Sequence, residues 1–158
     1  RYRNFHYFNR LANSCCGANT NKRRSDKMNN RILLVDDEET IRYVLKEALV
    51  SEGYKVEVAR DAFQAMERFK MAPYDLIITD IKMHGMDGIQ LIREIKRSGS
   101  NLKIVIITAY GSLETIKEAA KLGVAEIISK PFKIREIKDV IVRMLNNSSI
   151  SKDTDKEN

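Results

Sequence analysis

The sequence predicts an α/β fold, a doubly wound parallel sheet made of five βα units, or (βα)5. Three observations predict it. From residue 31 to about residue 145, short apolar runs of strand type alternate with segments of helical period. The runs Ile32-Leu33-Leu34-Val35, Leu76-Ile77-Ile78-Thr79 and Ile104-Val105-Ile106-Ile107 are apolar nearly throughout, as strands covered on both faces are. Polar residues then close four of the runs: Asp36 with Asp37, Asp80, Thr108 and Lys130.

The elements follow in order. Arg31–Val35 is the first strand, and Ile41, Val44, Leu45, Ala48 and Leu49 mark one apolar face of the first helix, which stops at Gly53. Tyr54–Ala59 is the second strand. Ala62, Ala65, Met66 and Phe69 mark a second helix that must end before Pro73, because the residue preceding a proline is driven out of the helical region. Tyr74–Thr79 is the third strand. Asp87 suits the N-cap of a third helix carrying Ile89, Ile92 and Ile95 inward. Lys103–Ile107 is the fourth strand, and Ser112 caps a fourth helix with Ile116, Ala119 and Ala120, closed by Gly123. Ala125–Ser129 is the fifth strand, with Ile127-Ile128-Ser129 running into Lys130. Lys133–Asn146 is the fifth helix, apolar along Ile134, Ile137, Ile141, Met144 and Leu145.

Strands that alternate with helices form a parallel sheet with helices on both faces. Right-handed crossovers leave few topologies for five units. The expected one is the flavodoxin-like order 2-1-3-4-5, with its switch point between strands one and three. Ligands bind outside the carboxyl ends of such strands. The four polar strand ends therefore predict one composite site, with Asp36, Asp37 and Asp80 at the switch point.

Charge separates the chain into regions. Seven of the 28 basic residues and one of the 22 acidic residues fall in residues 1–30, which leaves 21 of each in the remainder. The net charge of +6 thus belongs to a basic N-terminal segment, residues 1–30, expected to be disordered or non-native. Met28 is the expected natural start. Adjacent Cys15 and Cys16 match neither zinc-ligand nor redox spacing and are read as free thiols. Residues 31–147 form the expected domain and 148–158 a polar tail. No apolar run approaches the roughly 20 residues of a membrane span, and no secretory signal follows the basic start. The expected compartment is the cytoplasm.

Three clustered carboxylates repel one another and raise each other's pKa values. A hard divalent cation, Mg²⁺ or Mn²⁺, removes that conflict. Asp37 and Asp80 are the expected direct ligands, Asp36 acts directly or through water, and the backbone carbonyl of Lys82 completes the protein side. His84 is read as an exposed loop residue, since imidazole suits zinc better than Mg²⁺. A hydroxyl and an ammonium beside a metal-bound carboxylate are what a phosphoryl group requires. Lys130 and Thr108 would each hold a phosphoryl oxygen, with Asp80 as the nucleophile. Singly, Asp36-Asp37 also suits a helix cap, Asp80 a turn, Thr108 a strand-end hydroxyl and Lys130 a solvated lysine. Chance does not readily place all four at the ends of strands one, three, four and five.

These residues resemble the receiver domain of two-component response regulators, the CheY-like superfamily. The resemblance covers roughly residues 31–145 and rests on Leu34-Val35-Asp36-Asp37-Glu38, Thr79-Asp80-Ile81-Lys82-Met83-His84-Gly85-Met86-Asp87-Gly88, Thr108-Ala109-Tyr110-Gly111 and Ser129-Lys130-Pro131-Phe132. It implies that Asp80 accepts a phosphoryl group from a sensor histidine kinase or a phosphotransfer histidine, with Mg²⁺ held by Asp36, Asp37 and Asp80. It implies a shift of Thr108 that remodels the face of helix four, strand five and helix five, and a cis Lys130-Pro131 bond. Thr108 to Gly111, Lys130-Pro131-Phe132, Glu136-Ile137 and Lys82 look most like a stand-alone relay receiver of the sporulation-initiation type. Implied partners are the kinase, a histidine phosphotransfer protein and a phosphatase, docking at helix one and at the helix four–strand five–helix five face. Two positions depart from the family pattern. His84 stands where proline usually stiffens the loop, and Ile127 stands at the aromatic switch position, which moves the read-out to Thr108, to backbone shifts or to Tyr110.

Two other functions compete with a relay. A chemotaxis-like receiver would bind a partner when phosphorylated and pass nothing on. An Mg²⁺-dependent phosphatase would need a second acid two residues after the nucleophile, where Lys82 stands. DNA binding is not expected: twelve residues follow Asn146, against about 50 for a helix-turn-helix unit, and the neutral body lacks a basic stripe.

Overall fold

The computed structural model describes residues 29–109 and 111–146. Five strands, β1 (Arg31–Val35), β2 (Lys55–Ala59), β3 (Leu76–Thr79), β4 (Lys103–Thr108) and β5 (Glu126–Ser129), form one parallel sheet in the order 2-1-3-4-5. Between and after them run α1 (Glu39–Val50), α2 (Ala62–Met71), α3 (Gly88–Arg97), α4 (Leu113–Lys121) and α5 (Ile134–Asn146). Fold class and strand order are those expected from the sequence. Expectations for residues 1–27, Cys15, Cys16, Tyr110 and the tail from residue 148 lie outside the described residues. No described helix is long and apolar enough to cross a membrane.

The central strands feed two cores. Leu33, Val35, Ile77, Ile104 and Ile106 pack on one face with α2, α3 and α4, whereas Ile32, Leu34, Leu76, Ile78, Val105 and Ile107 pack on the other with α1 and α5. Alternate side chains of a strand point to opposite faces, so an unbroken apolar run supplies both cores at once. Strands β2 and β5 lie at the edges and are only partly covered.

Three helices start on side-chain caps. The carboxylates of Asp61 and Asp87 accept the backbone N–H groups of Gln64 and Gln90, each at 2.8 Å, and Ser112 Oγ accepts that of Thr115 at 3.1 Å. Gly53 (φ 93°) and Gly123 (φ 73°) turn the chain in the left-handed region after α1 and α4.

Several boundaries differ from the sequence reading. β3 begins at Leu76 rather than Tyr74, because Asp75 accepts the Arg31 N–H (2.8 Å) and the Tyr74 hydroxyl donates to Glu57 (2.7 Å). Arg31 lies over the Tyr74 ring, 5.3 Å from its centroid. β4 continues through Thr108. Two helix faces also differ. Val44 is exposed while Leu45 and Leu49 are buried in α1, and on α4 Ile116 and Ala120 are exposed while Ala119 is buried. The helical period locates a stripe but not its edges, which depend on where the neighbouring helix stops covering it.

Asp87 caps the helix that leads away from the end of β3. Asp87→Ala should lower stability by about 1 kcal/mol, read as a lower urea midpoint with an unchanged slope.

Candidate functional site

The carboxyl edge of the sheet is assembled by register. Val35 pairs with Thr79 across β1 and β3, so the next residues, Asp36 and Asp80, come out side by side. The Asp36 N–H donates to Ala59 O (3.2 Å) and the Asp80 N–H to Val35 O (3.1 Å), which continues the ladder one step beyond the strands. Thr108 pairs with Ser129, and the next N–H, that of Lys130, donates to Thr108 O at 2.8 Å. The Lys130–Pro131 bond is cis.

Lys130 reaches back over this edge. Its Nζ lies 2.7 Å from Asp80 Oδ2, 2.9 Å from Asp36 Oδ2 and 3.0 Å from Glu38 Oε1, and its side chain is only 10% exposed. The other oxygens are also engaged. Asp36 Oδ1 accepts the Glu38 N–H (2.8 Å), and Asp80 Oδ1 accepts the Lys82 N–H (3.1 Å). Arg42 on α1 donates to the Asp36 carbonyl at 2.6 Å. Asp36, Asp80 and Thr108 are buried.

Charge is unbalanced here: three carboxylates share one ammonium. Burial pushes the Asp36 carboxyl above its ordinary value of 3.8, only partly opposed by Lys130 and the Glu38 N–H. Burial by itself would lower the Lys130 pKa, but hydrogen bonds to Asp80, Asp36 and Glu38 outweigh it and hold the ammonium above the ordinary lysine range.

The structure therefore brings together Asp36, Asp80 and Lys130, with Thr108 buried at the adjoining strand end. Asp37 goes elsewhere. Its Oδ2 lies 2.8 Å from His84 Nδ1. Glu38 takes the third place: oxygens of Asp36, Glu38 and Asp80 all lie within 4.8 Å of one another. Glu38 precedes α1 as its N-cap residue yet makes no side-chain cap bond. The helix-cap reading of the acidic run thus gives way to a charge cluster. The Asp-Asp-Glu run was the available signal for Glu38, but a third acid pointing inward is invisible without the lysine opposite.

Gly88 is a second residue missed in the sequence. A Cβ there would lie 2.0 Å from the Asp80 carbonyl oxygen and 3.0 Å from Ile81 Cα. Its N–H donates to Ile81 O at 2.8 Å. The first turn of α3 thus sits directly against the backbone of Asp80, and only glycine permits that approach.

Fold and site together define a class, and comparison with known proteins gives the same one. The response regulator receiver domain family matches residues 32–142, and the chain belongs to that family. It is 39% identical to sporulation initiation phosphotransferase F of Bacillus subtilis over 118 residues, which is 75% of this chain and 95% of that protein. It is 35% identical to chemotaxis protein CheY of the same organism, covering 75% of this chain and 100% of that one. By contrast it spans about a quarter (27%) of regulatory protein AtoC of Escherichia coli, at 32% identity over 78% of this chain. Among solved structures, a CheY-like receiver domain from Methanospirillum hungatei superposes with a TM-score of 0.74 at 30% identity, covering 76% of this chain and 96% of the other. Response regulator TrrA of Thermotoga maritima, solved in complex with Mg²⁺-BeF, superposes with a TM-score of 0.66 at 35% identity, covering 73% and 98%. The chain is thus a receiver homologous to the sporulation phosphotransferase and to CheY, and receivers of this kind are phosphoacceptors with an acidic Mg²⁺-binding pocket.

Two outcomes follow from the geometry. Gly88→Ala should lose about 1–3 kcal/mol of stability through overpacking rather than gain from alanine's helix propensity, and should shift the Asp80 amide resonance. Asp36→Asn should raise the unfolding free energy at neutral pH in chelator-treated buffer. An acid whose folded pKa is raised supports folding fully below its unfolded value of 3.8 and loses that support as pH rises through the folded value. The gap between variant and wild type should therefore close on acidification toward 3.8.

Proposed function

We propose that this chain accepts a phosphoryl group on Asp80 from a sensor histidine kinase or a phosphotransfer histidine and passes it to a second histidine protein. One observation carries the reading. A buried carboxylate at the end of β3 is held 2.7 Å from the Lys130 ammonium, beside two further carboxylates. In the proposed step an Asp80 carboxylate oxygen attacks phosphorus, the P–N bond to the donor imidazole breaks, and the leaving nitrogen keeps the electron pair. Lys130 exchanges a carboxylate oxygen for a phosphoryl oxygen, and the Thr108 hydroxyl holds another. The chain thus serves as a phosphotransfer component rather than as a hydrolase, in line with Lys82 standing where a phosphatase needs an acid.

The donor set fits a hard divalent cation. Lys130 already stands as a cation among three carboxylate oxygens, and one positive charge does not offset them. Asp36, Asp37, Asp80 and the Lys82 carbonyl are the proposed holders of Mg²⁺ or Mn²⁺. When bound, the ion offsets the acidic cluster and the charge of the incoming phosphoryl group.

Exposed apolar side chains support the proposed docking faces. Tyr43 and Val44 are exposed on α1, and Leu113 and Ile116 on α4. Kinase, phosphotransfer protein and phosphatase are proposed to use α1 and the α4–β5–α5 face. The proposed receiver spans residues 31–147 between the basic and polar end segments, and its proposed compartment is the cytoplasm. The open α4 face also favours a second reading, a module that docks a partner when phosphorylated and transfers nothing.

Asp80→Asn should abolish labelling by a kinase or by acetyl phosphate with Mg²⁺, and labelling at the wild-type level would overturn the assignment. Labelled wild type mixed with histidine phosphotransfer proteins separates the two readings. Transfer of label supports the relay, and tight binding without transfer supports the docking module.

A further inference from the structure

His84 is 98% exposed, yet its position is defined. Ile81 and Met83 are buried on one side of it, and Met86 packs partly against the same core on the other. Gly85 turns the chain at φ +87°, with the Phe63 ring 3.5 Å from where a Cβ would stand. The Gly88 N–H closes the loop on Ile81 O at 2.8 Å. The loop is therefore pinned at both ends, and its tip presents the imidazole to Asp37, Nδ1 to Oδ2 at 2.8 Å. A proline at this position would have no donor to offer.

Asp37 matters because it is the acid of the run left out of the group formed by Asp36, Glu38 and Asp80. An oxygen that accepts from an imidazole N–H has a partner to give up before it can take a cation. Mg²⁺ requires near-ideal octahedral geometry and does not adapt to a ligand held off its position. The pair is solvent-exposed on the histidine side, so its strength is that of a surface interaction.

We propose that His84 is a positioning residue that latches Asp37 away from the acidic cluster, so that divalent cations must displace it and bind more weakly than they otherwise would. This rests on the reading of Asp37 as a metal ligand. The latch is a hydrogen bond from the imidazole Nδ1–H to the Asp37 carboxylate. It makes cation loading, and with it phosphoryl acceptance, depend on a residue of the loop rather than on the acids alone.

The test is a titration of the full chain with MgCl₂, followed by calorimetry and amide shifts at one fixed pH. His84→Ala should bind Mg²⁺ about threefold more tightly, the scale of an exposed pair. His84→Asn, whose amide nitrogen can stand near the Nδ1 position, should fall between the two. In an Asp37→Asn background, His84→Ala should change nothing, because the cycle then contains no latch. Equal or weaker binding by His84→Ala overturns the latch, and leaves the metal reading intact if Asp37→Asn still weakens Mg²⁺ in the wild-type background. Absent Mg²⁺ binding, or an Asp37→Asn variant that binds normally, overturns the metal reading of Asp37 and the latch with it. Circular dichroism of each variant shows that the exposed substitution leaves the fold in place.

Discussion

One ammonium among three carboxylates is the interaction on which the carboxyl edge depends. Lys130 is covered by its partners, and Asp36 and Asp80 are buried almost entirely. A buried ion pair is not by itself strong evidence for stability, because desolvation opposes the attraction. Here the raised pKa of Asp36 means that the acid is held in its charged form at a cost to folding. That cost is understandable if the edge is shaped for an incoming ligand rather than for maximal stability. A buried, incompletely compensated cluster binds further positive charge readily and tolerates a phosphoryl group only beside cations.

Backbone geometry makes the cluster possible. Parallel register sets Asp36 beside Asp80, and the Lys130 N–H tied to Thr108 O sets the root of the lysine. Gly88 then brings the start of α3 against the Asp80 carbonyl. The three acids stand just past the ends of β1 and β3 and on the turn into α1, whereas the lysine follows the edge strand β5. Lys130 thus ties the acids to the end of the strand that borders α4. That helix buries Ala119, leaves Leu113 and Ile116 to solvent, and is tied to α3 through Arg93 and Glu118.

Ile127 bears on the same point. It is partly buried against the core beneath α4, an aliphatic side chain on the edge strand. On the opposite loop, Met83 and Met86 pack against the core on either side of His84.

The sequence by itself determined the five βα units, their order in the sheet and the identity of the strand-end residues. Those features are local: apolar runs, caps at Asp61, Asp87 and Ser112, and turn glycines follow from neighbours a few residues away. Tertiary structure alone decided which acids share the lysine. From the chain, Asp37 was the expected ligand and Glu38 had no role, yet Asp37 turns to His84, 47 residues away, and Glu38 to Lys130, 92 residues away. It also decided that Val44 and Ile116 face solvent, and that Gly88 must lack a side chain. Such outcomes depend on what the opposite element presents at a given distance. No periodicity within one segment encodes the position of a partner carried by another.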